Sequence, residues 1–384
     1  MLDELTRDEL LEAPLERGQR VTALELFFDL VFVFAITQVT GFLYHDPSWS
    51  RLVEALAIMM VLWFAWSSYA WLGNTAATDE GAIRVVLLVA MGPLLVASLA
   101  VPHAFGEDAL VFGTAYFFVR ALHIVAYSVL ARGDPRLRGI VYRLGRTMLP
   151  AAALLVVAGA VSGTGRVLCW VGAIAIDYGG LILSGTEGWQ VKPGHFAERH
   201  GLIIIVALGV GAASLGIHVG VVTGALLGVA VAAALWWAYF DVVATVAERK
   251  LREARATERA RIARDSYTYL HLPMVTGIVV FAYGVKTTLA HVHAHLDSVP
   301  ATALCGGVAL YLLALSVLKR RNIGSFNRPR LVASAALAAL APVATALPAL
   351  LSLGLVALIA CTLIAYEVHR YAEARDRIRH ASSR

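Results

Sequence analysis

Leu24-Glu25-Leu26-Phe27-Phe28-Asp29-Leu30-Val31-Phe32-Val33-Phe34-Ala35-Ile36-Thr37 is an apolar, aromatic run interrupted by two carboxylates four positions apart. The apolar stretch continues to Tyr44, about 20 residues, which is the length a helix needs to cross a bilayer. The four-residue spacing places Glu25 and Asp29 on one helical face that continues through Phe32 and Ile36. Asp29 then lies roughly 7 Å inside the segment, at 1.5 Å per residue. A charge in hydrocarbon costs about 2.5 kcal/mol or more, so Asp29 requires a partner within the protein.

The rest of the chain agrees with a membrane setting. Of its 384 residues 59% are hydrophobic and only 15% charged, where a soluble domain carries about a quarter charged residues. Twelve apolar segments follow from a walk along the sequence. The first six are Leu24 to Tyr44, Leu52 to Leu72, Gly81 to Val101, Ala109 to Ala131, Met148 to Val161 and Arg166 to Ser184. The second six are Gly201 to Gly216, Ala225 to Ala247, Leu270 to His291, Ala301 to Leu318, Leu331 to Leu347 and Ala349 to Tyr366. Breaks at Gly216 to Gly224 and at Leu347-Pro348 are short, so hydropathy alone leaves ten or eleven segments open.

Charge decides for twelve. With an even count, Arg51 and Arg166 fall on one side and Arg120 and Lys286 within segments, while the rest of the 32 Lys and Arg residues, Arg199 among them, share the other side. Positive charge marks the cytoplasmic side. The expectation is an all-α polytopic membrane protein of about twelve transmembrane helices, one integral domain over 1–384, with cytoplasmic tails at 1–23 and 367–384. Its place is the bacterial cytoplasmic (inner) membrane. The net charge of +5 sits in short inner loops facing anionic lipid, so it implies no nucleic acid partner. Acidic residues before Leu24, including Asp3, Glu4, Asp8 and Glu9, are the opposite of a basic signal region, and no cleaved signal peptide is expected.

Ala126-Tyr127-Ser128-Val129-Leu130-Ala131-Arg132 closes segment four, and Ala314-Leu315-Ser316-Val317-Leu318-Lys319-Arg320 closes segment ten in the same sense. Two parallel six-helix repeats, 20–184 and 199–366, would account for this, as would the composition of a membrane interface. Glu248 to Arg264, rich in Ala, Glu and Arg, reads as a solvated extension of segment eight.

Ionisable residues inside the segments are the candidate site. Asp29, Asp177 and Asp241 are placed at similar depth near the inner leaflet. Arg120, with His123 on the same face, sits in the middle of segment four, and Lys286 toward the outer end of segment nine. An Asp29–Arg120 pair is expected, either as a fixed structural tie or as one that opens to a proton, ion or substrate. Asp241 reads as a helix-end anchor and Lys286 as a side chain that snorkels outward. His291, His293 and His295, with Asp297, have a spacing compatible with zinc or copper if extended, but a solvated loop is the usual reading of such a run. Trp63, Phe64, Trp66, Tyr69 and Trp71 read as interface belting and helix packing. Cys169, Cys305 and Cys361 have no metal spacing. The sequence has no Ser-His-Asp, Cys-His or HExxH arrangement, and no cofactor is expected.

The pattern Glu25-Leu26-Phe27-Phe28-Asp29-Leu30-Val31-Phe32-Val33-Phe34-Ala35-Ile36 resembles the first helix of the bacterial low temperature requirement A (LtrA) family. Further resemblances run through Asn74, Asp79 and Arg84; Arg120 with His123; Glu198-Arg199; Trp236-Trp237-Ala238-Tyr239-Phe240-Asp241; and His271-Leu272-Pro273 followed by Gly277. Where that family often carries Gly-Glu, this chain has Gly209-Val210. The resemblance implies a membrane protein and no general activity. The narrower pattern Phe27-x-Asp29-x-Val31-Phe32 is similar to the first helix of lysosomal-type potassium channels, with Phe28 where their motif has serine.

These readings converge on a polar path among segments one, four, six and eight, lined by Glu25, Asp29, Arg120, His123, Asp177 and Asp241. The leading function is transport of a small solute or ion coupled to protonation of Asp29. A cation channel lined by the first helix is the alternative suggested by the channel resemblance, and an intramembrane enzyme acting on a lipid is the third. The partners implied are membrane lipids and the transported solute or ion, with homo-oligomers left open.

Overall fold

A computed structural model of the chain describes residues 21–76, 81–183, 185–209 and 218–373. Asp79, Val210, the second half of segment seven, the charges before Val21 and the tail after Glu373 lie outside the described residues. Within them the chain is helical, and the only bridge between extended residues joins His295 to Pro348. The helices are α1 (Ala23–His45), α2 (Trp49–Thr75), α3 (Gly81–Ala100), α4 (Ala109–Leu130), α5 (Pro135–Ala160), α6 (Gly163–Leu183) and α7 (Pro193–Leu208). The second series is α8 (Val219–Phe240), α9 (Val243–Glu253), α10 (Ala256–Ile262), α11 (His271–Ala290), α12 (Ser298–Ile323), α13 (Arg328–Ala344) and α14 (Ala349–Arg370).

The described part of each of the twelve expected segments is largely helical, segment seven being described only to Gly209. Ten helical stretches are long and apolar enough to cross a membrane among the described residues. The two that fall short are α7 and α13, of 16 and 17 described residues. At 1.5 Å per residue α7 is about 24 Å long, less than the ~30 Å hydrocarbon core.

Helix ends follow local chemistry. Thr22 caps α1: its side chain accepts from the Glu25 N–H, and the Glu25 carboxylate accepts from the Thr22 N–H at 3.0 Å. Pro135 and Pro193 occupy the first turns of α5 and α7, where a missing N–H costs nothing. Both helices therefore start earlier than hydropathy indicates: α5 includes much of the polar stretch before Met148, and α7 includes His195, Arg199 and His200.

The expected solvated extension of segment eight is corrected. A break at Asp241-Val242 separates α8 from α9, and Ala254-Arg255 separates α9 from α10, which runs into a π-helical turn, Ala263–Tyr269, and on into α11. Ala247, Leu251, Ala260 and Ile262 are buried against Trp71, Val191 and Phe196, because the apolar residues of this charged segment lie on one face.

α2 is the most enclosed of the spanning helices. It packs against α1, α4, α6, α7 and α11. Its aromatic residues are not an interface belt. Trp63, Trp66 and Tyr69 are 0% exposed, and the indoles act as hydrogen-bond donors in the core.

Candidate functional site

Two i, i+4 pairs of polar side chains face each other at the start of α1 and α7. Glu25 and Asp29 project from α1, and His195 and Arg199 from α7; all four are buried. Arg199 Nη1 donates to Glu25 Oε1 at 2.7 Å, and Arg199 Nη2 donates to Asp29 Oδ1 at 3.1 Å. His195 Nε2 lies 3.0 Å from Glu25 Oε2. From α2, Trp66 Nε1 donates to Asp29 Oδ1 at 2.7 Å and the Tyr69 carbonyl accepts from Arg199 Nη1 at 3.1 Å.

Gly73 of α2 makes room for this arrangement. A Cβ built there would meet Glu25 Oε1 at 2.0 Å and Arg199 Nη1 at 2.9 Å. The backbone of α2 thus approaches the ion pair more closely than any residue with a side chain permits.

Among the described residues, Asp29 Oδ2, Arg199 Nε and His195 Nδ1 are buried without a hydrogen-bond partner. Buried polar atoms are nearly always paired, so three exceptions in one cluster mark it as a candidate functional site.

Arg120 forms a second, separate cluster. Its Nη2 donates to Asp177 Oδ1 at 3.1 Å, and its Nη1 donates to Ser68 Oγ at 2.6 Å and to the Phe64 carbonyl at 3.1 Å. Tyr116 donates its hydroxyl to Asp177 Oδ2 at 3.3 Å. The guanidinium also stands over the Phe64 ring at 4.9 Å. The expected Asp29–Arg120 pair is therefore corrected: Asp29 pairs with Arg199 and Arg120 with Asp177. The cause is α2, which lies between the two carboxylates and offers a different face to each.

The remaining candidates disperse. His123 is fully buried beside Arg120, with Nε2 at 3.0 Å from the Ser68 carbonyl. Asp241 follows the last residue of α8 and lines a different cavity with Lys319 and Arg330. Lys286 places its ammonium 4.5 Å from the centre of the Tyr44 ring, near the opposite end of α1. His291, His293 and His295 are exposed, and no group of three metal-capable side chains converges among the described residues.

Sequence reasoning missed Arg199, His195 and Trp66 as members of the site, and a histidine pair behind them. His200 stands against Trp66 and Tyr267 at ring-centre distances of 5.1 and 5.2 Å, and His271 lies 5.3 Å from it. His271 is held between the Ser266 carbonyl, 2.9 Å from Nδ1, and the Tyr239 hydroxyl, 2.8 Å from Nε2. The available signal was the Pro193 helix start, which puts His195 and Arg199 one turn apart in register with Glu25 and Asp29.

Comparison with known proteins adds the following. The family model described as bacterial low temperature requirement A protein (LtrA) matches residues 20–365. The chain is also 29% identical over 314 residues to an uncharacterized protein of Rhizobium meliloti (strain 1021), covering 77% of this chain and 76% of that one. No solved structure matches it.

Proposed function

The chain belongs to the bacterial low temperature requirement A family, and from that premise we propose that this multi-pass protein is a carrier of a small solute or ion across the cytoplasmic membrane, with Asp29 as its proton- or cation-coupled centre.

The observation that supports this reading is the charge balance of the two clusters. Arg120 meets one carboxylate, Asp177, and both oxygens of that carboxylate are hydrogen-bonded. Such a pair is balanced in charge, which is what a structural tie in low dielectric requires, although Arg120 Nε and His123 Nδ1 are buried without a hydrogen-bond partner among the described residues. Arg199 meets two carboxylates, Glu25 and Asp29, and one oxygen of Asp29 has no partner among the described residues. With both carboxylates ionised, the Glu25–Asp29–Arg199 group carries one negative charge more than it can neutralise. A proton on His195 or on Asp29, or a small cation at Asp29 Oδ2, removes the excess. Ionisable groups inside a membrane with this property commonly mark ion and proton pathways. Loading and unloading of that cation alters the attraction between α1 and α7 and so gates their separation.

Purified protein in liposomes tests the reading. An imposed proton or cation gradient is expected to drive slow, saturable flux, and Asp29→Asn is expected to insert and melt like the parent while losing the coupled flux. Large voltage-driven, non-saturating currents would favour a channel instead, and unchanged coupled flux in Asp29→Asn would remove Asp29 from the mechanism.

A further inference from the structure

On the face of the molecule where α1 begins, the ends of α8, α9, α12, α13 and α14 enclose a half-open cavity of about 230 Å³. It is separate from the Asp29 cluster and shares no residue with it. One wall is a clamp between two helices: Arg330 donates to Glu367 from Nε and Nη2, both at 2.8 Å, and Asn327 adds a third bond to Glu367 at 2.8 Å. Arg330 is only 5% exposed, yet its Nη1 has no hydrogen-bond partner among the described residues. Lys319 lines the same cavity. Asp241 stands on the α8 side, and the rest of the lining is largely apolar, with Trp237, Val246 and Tyr371 prominent.

The cavity thus presents one cation, Lys319, and one carboxylate, Asp241, beside the mutually neutralised Arg330–Glu367 clamp and within an apolar wall at a helix-end level. A ligand for it carries both signs of charge and an apolar body. We propose that this cavity binds a zwitterionic phospholipid of the ethanolamine type, its phosphate on Lys319, its primary amine toward Asp241, and its acyl chains leaving along the apolar wall. A lysine ammonium binds phosphate as a point charge, and the buried Arg330–Glu367 clamp fixes the wall beside it. Basic pockets between transmembrane helices are a recurring way of holding lipid headgroups, and Trp237 and Tyr371 are of the kind that settle at headgroup depth. The balanced charge of the lining distinguishes this site from one built for a purely anionic headgroup, for which Asp241 would be repulsive.

Native mass spectrometry of the full-length protein, titrated with dioleoyl phosphatidylethanolamine, phosphatidylcholine or phosphatidylglycerol, tests the assignment. Retention of phosphatidylethanolamine is expected to exceed that of the other two. Lys319→Gln is expected to weaken it roughly tenfold, the loss of one charge-assisted contact. Val246→Trp, which fills the cavity without touching the clamp, is expected to abolish it while the melting temperature holds. Equal retention of all three lipids, preference for phosphatidylglycerol, or unaltered binding in both variants would overturn the proposal. Soluble phosphoethanolamine competing as well as the diacyl lipid would overturn the lipid assignment and give the site to a soluble ligand with the same headgroup.

Discussion

The guanidinium of Arg199 lies 3.1 Å from the carboxylate of Asp29, although 170 positions separate them in the chain. Arg199 is fully buried and is the cation nearest to both carboxylates of α1. Removing it leaves two ionised groups in a low-dielectric core. Arg199→Gln is expected to cost about 3–5 kcal/mol of stability, the usual penalty for an orphaned buried charge. Adding Glu25→Gln and Asp29→Asn should recover most of it. Thermal melting in detergent checks the series, and an Arg199→Gln protein that melts like the parent would show that the cluster is not held by this charge.

The Arg120–Asp177 pair predicts a different pattern. Asp177→Asn should lower stability by a similar ~3–5 kcal/mol, and Arg120→Gln added to it should restore much of the loss. Because the pair is balanced, the double variant is expected to keep its gradient-driven flux per folded molecule. Loss of flux in a stable double variant would move Arg120 from a structural tie into the transport path.

Gly73 offers a steric test. Gly73→Ala puts a methyl 2.0 Å from Glu25 Oε1, so the carboxylate or α2 must move. Overpacking of this kind costs about 1–3 kcal/mol. Gly41→Ala, where no atom lies within 4 Å of the new methyl, is the control and should be neutral or stabilising through helix propensity. Equal melting temperatures for the two variants would show that α1, α2 and α7 fit together less tightly than the distances imply.

Topology is tested in cells, starting from a variant with Cys169, Cys305 and Cys361 replaced. Single cysteines at Arg136 and Ala256, both exposed positions on the basic side, should resist an impermeant thiol reagent added outside. One at His293 should react. Labelling of Arg136 or Ala256 in intact cells would invert the orientation.

Much of the helical plan was legible because apolar length and charge alternation act locally along the chain. Glu25 and Asp29 announced themselves by the cost of a carboxylate in hydrocarbon, and their shared face followed from helical periodicity alone. Arg199 was assigned to a polar loop because His195, Glu198, Arg199 and His200 lower the local hydropathy and disguise the start of α7. Its burial depends on being met by two carboxylates from another helix, which a window moving along one strand of sequence does not register. The wrong partner for Asp29 has the same origin: Arg120 and Asp29 both lie within apolar segments and are oppositely charged, but helix order in sequence leaves open which face of α2 each approaches. For the tryptophans of α2 the helix-packing reading agrees with their burial and the interface-belt reading does not, since indole suits an interface and a buried carboxylate equally well.

The π-helical turn at Ala263–Tyr269 carries the Leu270 N–H to the Asp265 carbonyl, one residue farther than an α-helix would reach. Trp63 and Trp71 both fasten onto Thr268 within it, at 2.7 and 2.9 Å. The extra residue acts as an angular offset: it turns α11 by about 100° relative to α10, as one residue does in a helix of 3.6 per turn. Deleting a single residue there would leave both flanking helices intact yet swing His271 away from Tyr239 and carry Thr268 off the two indoles. The phase of one helix relative to the next, rather than any individual contact, is what this short stretch stores.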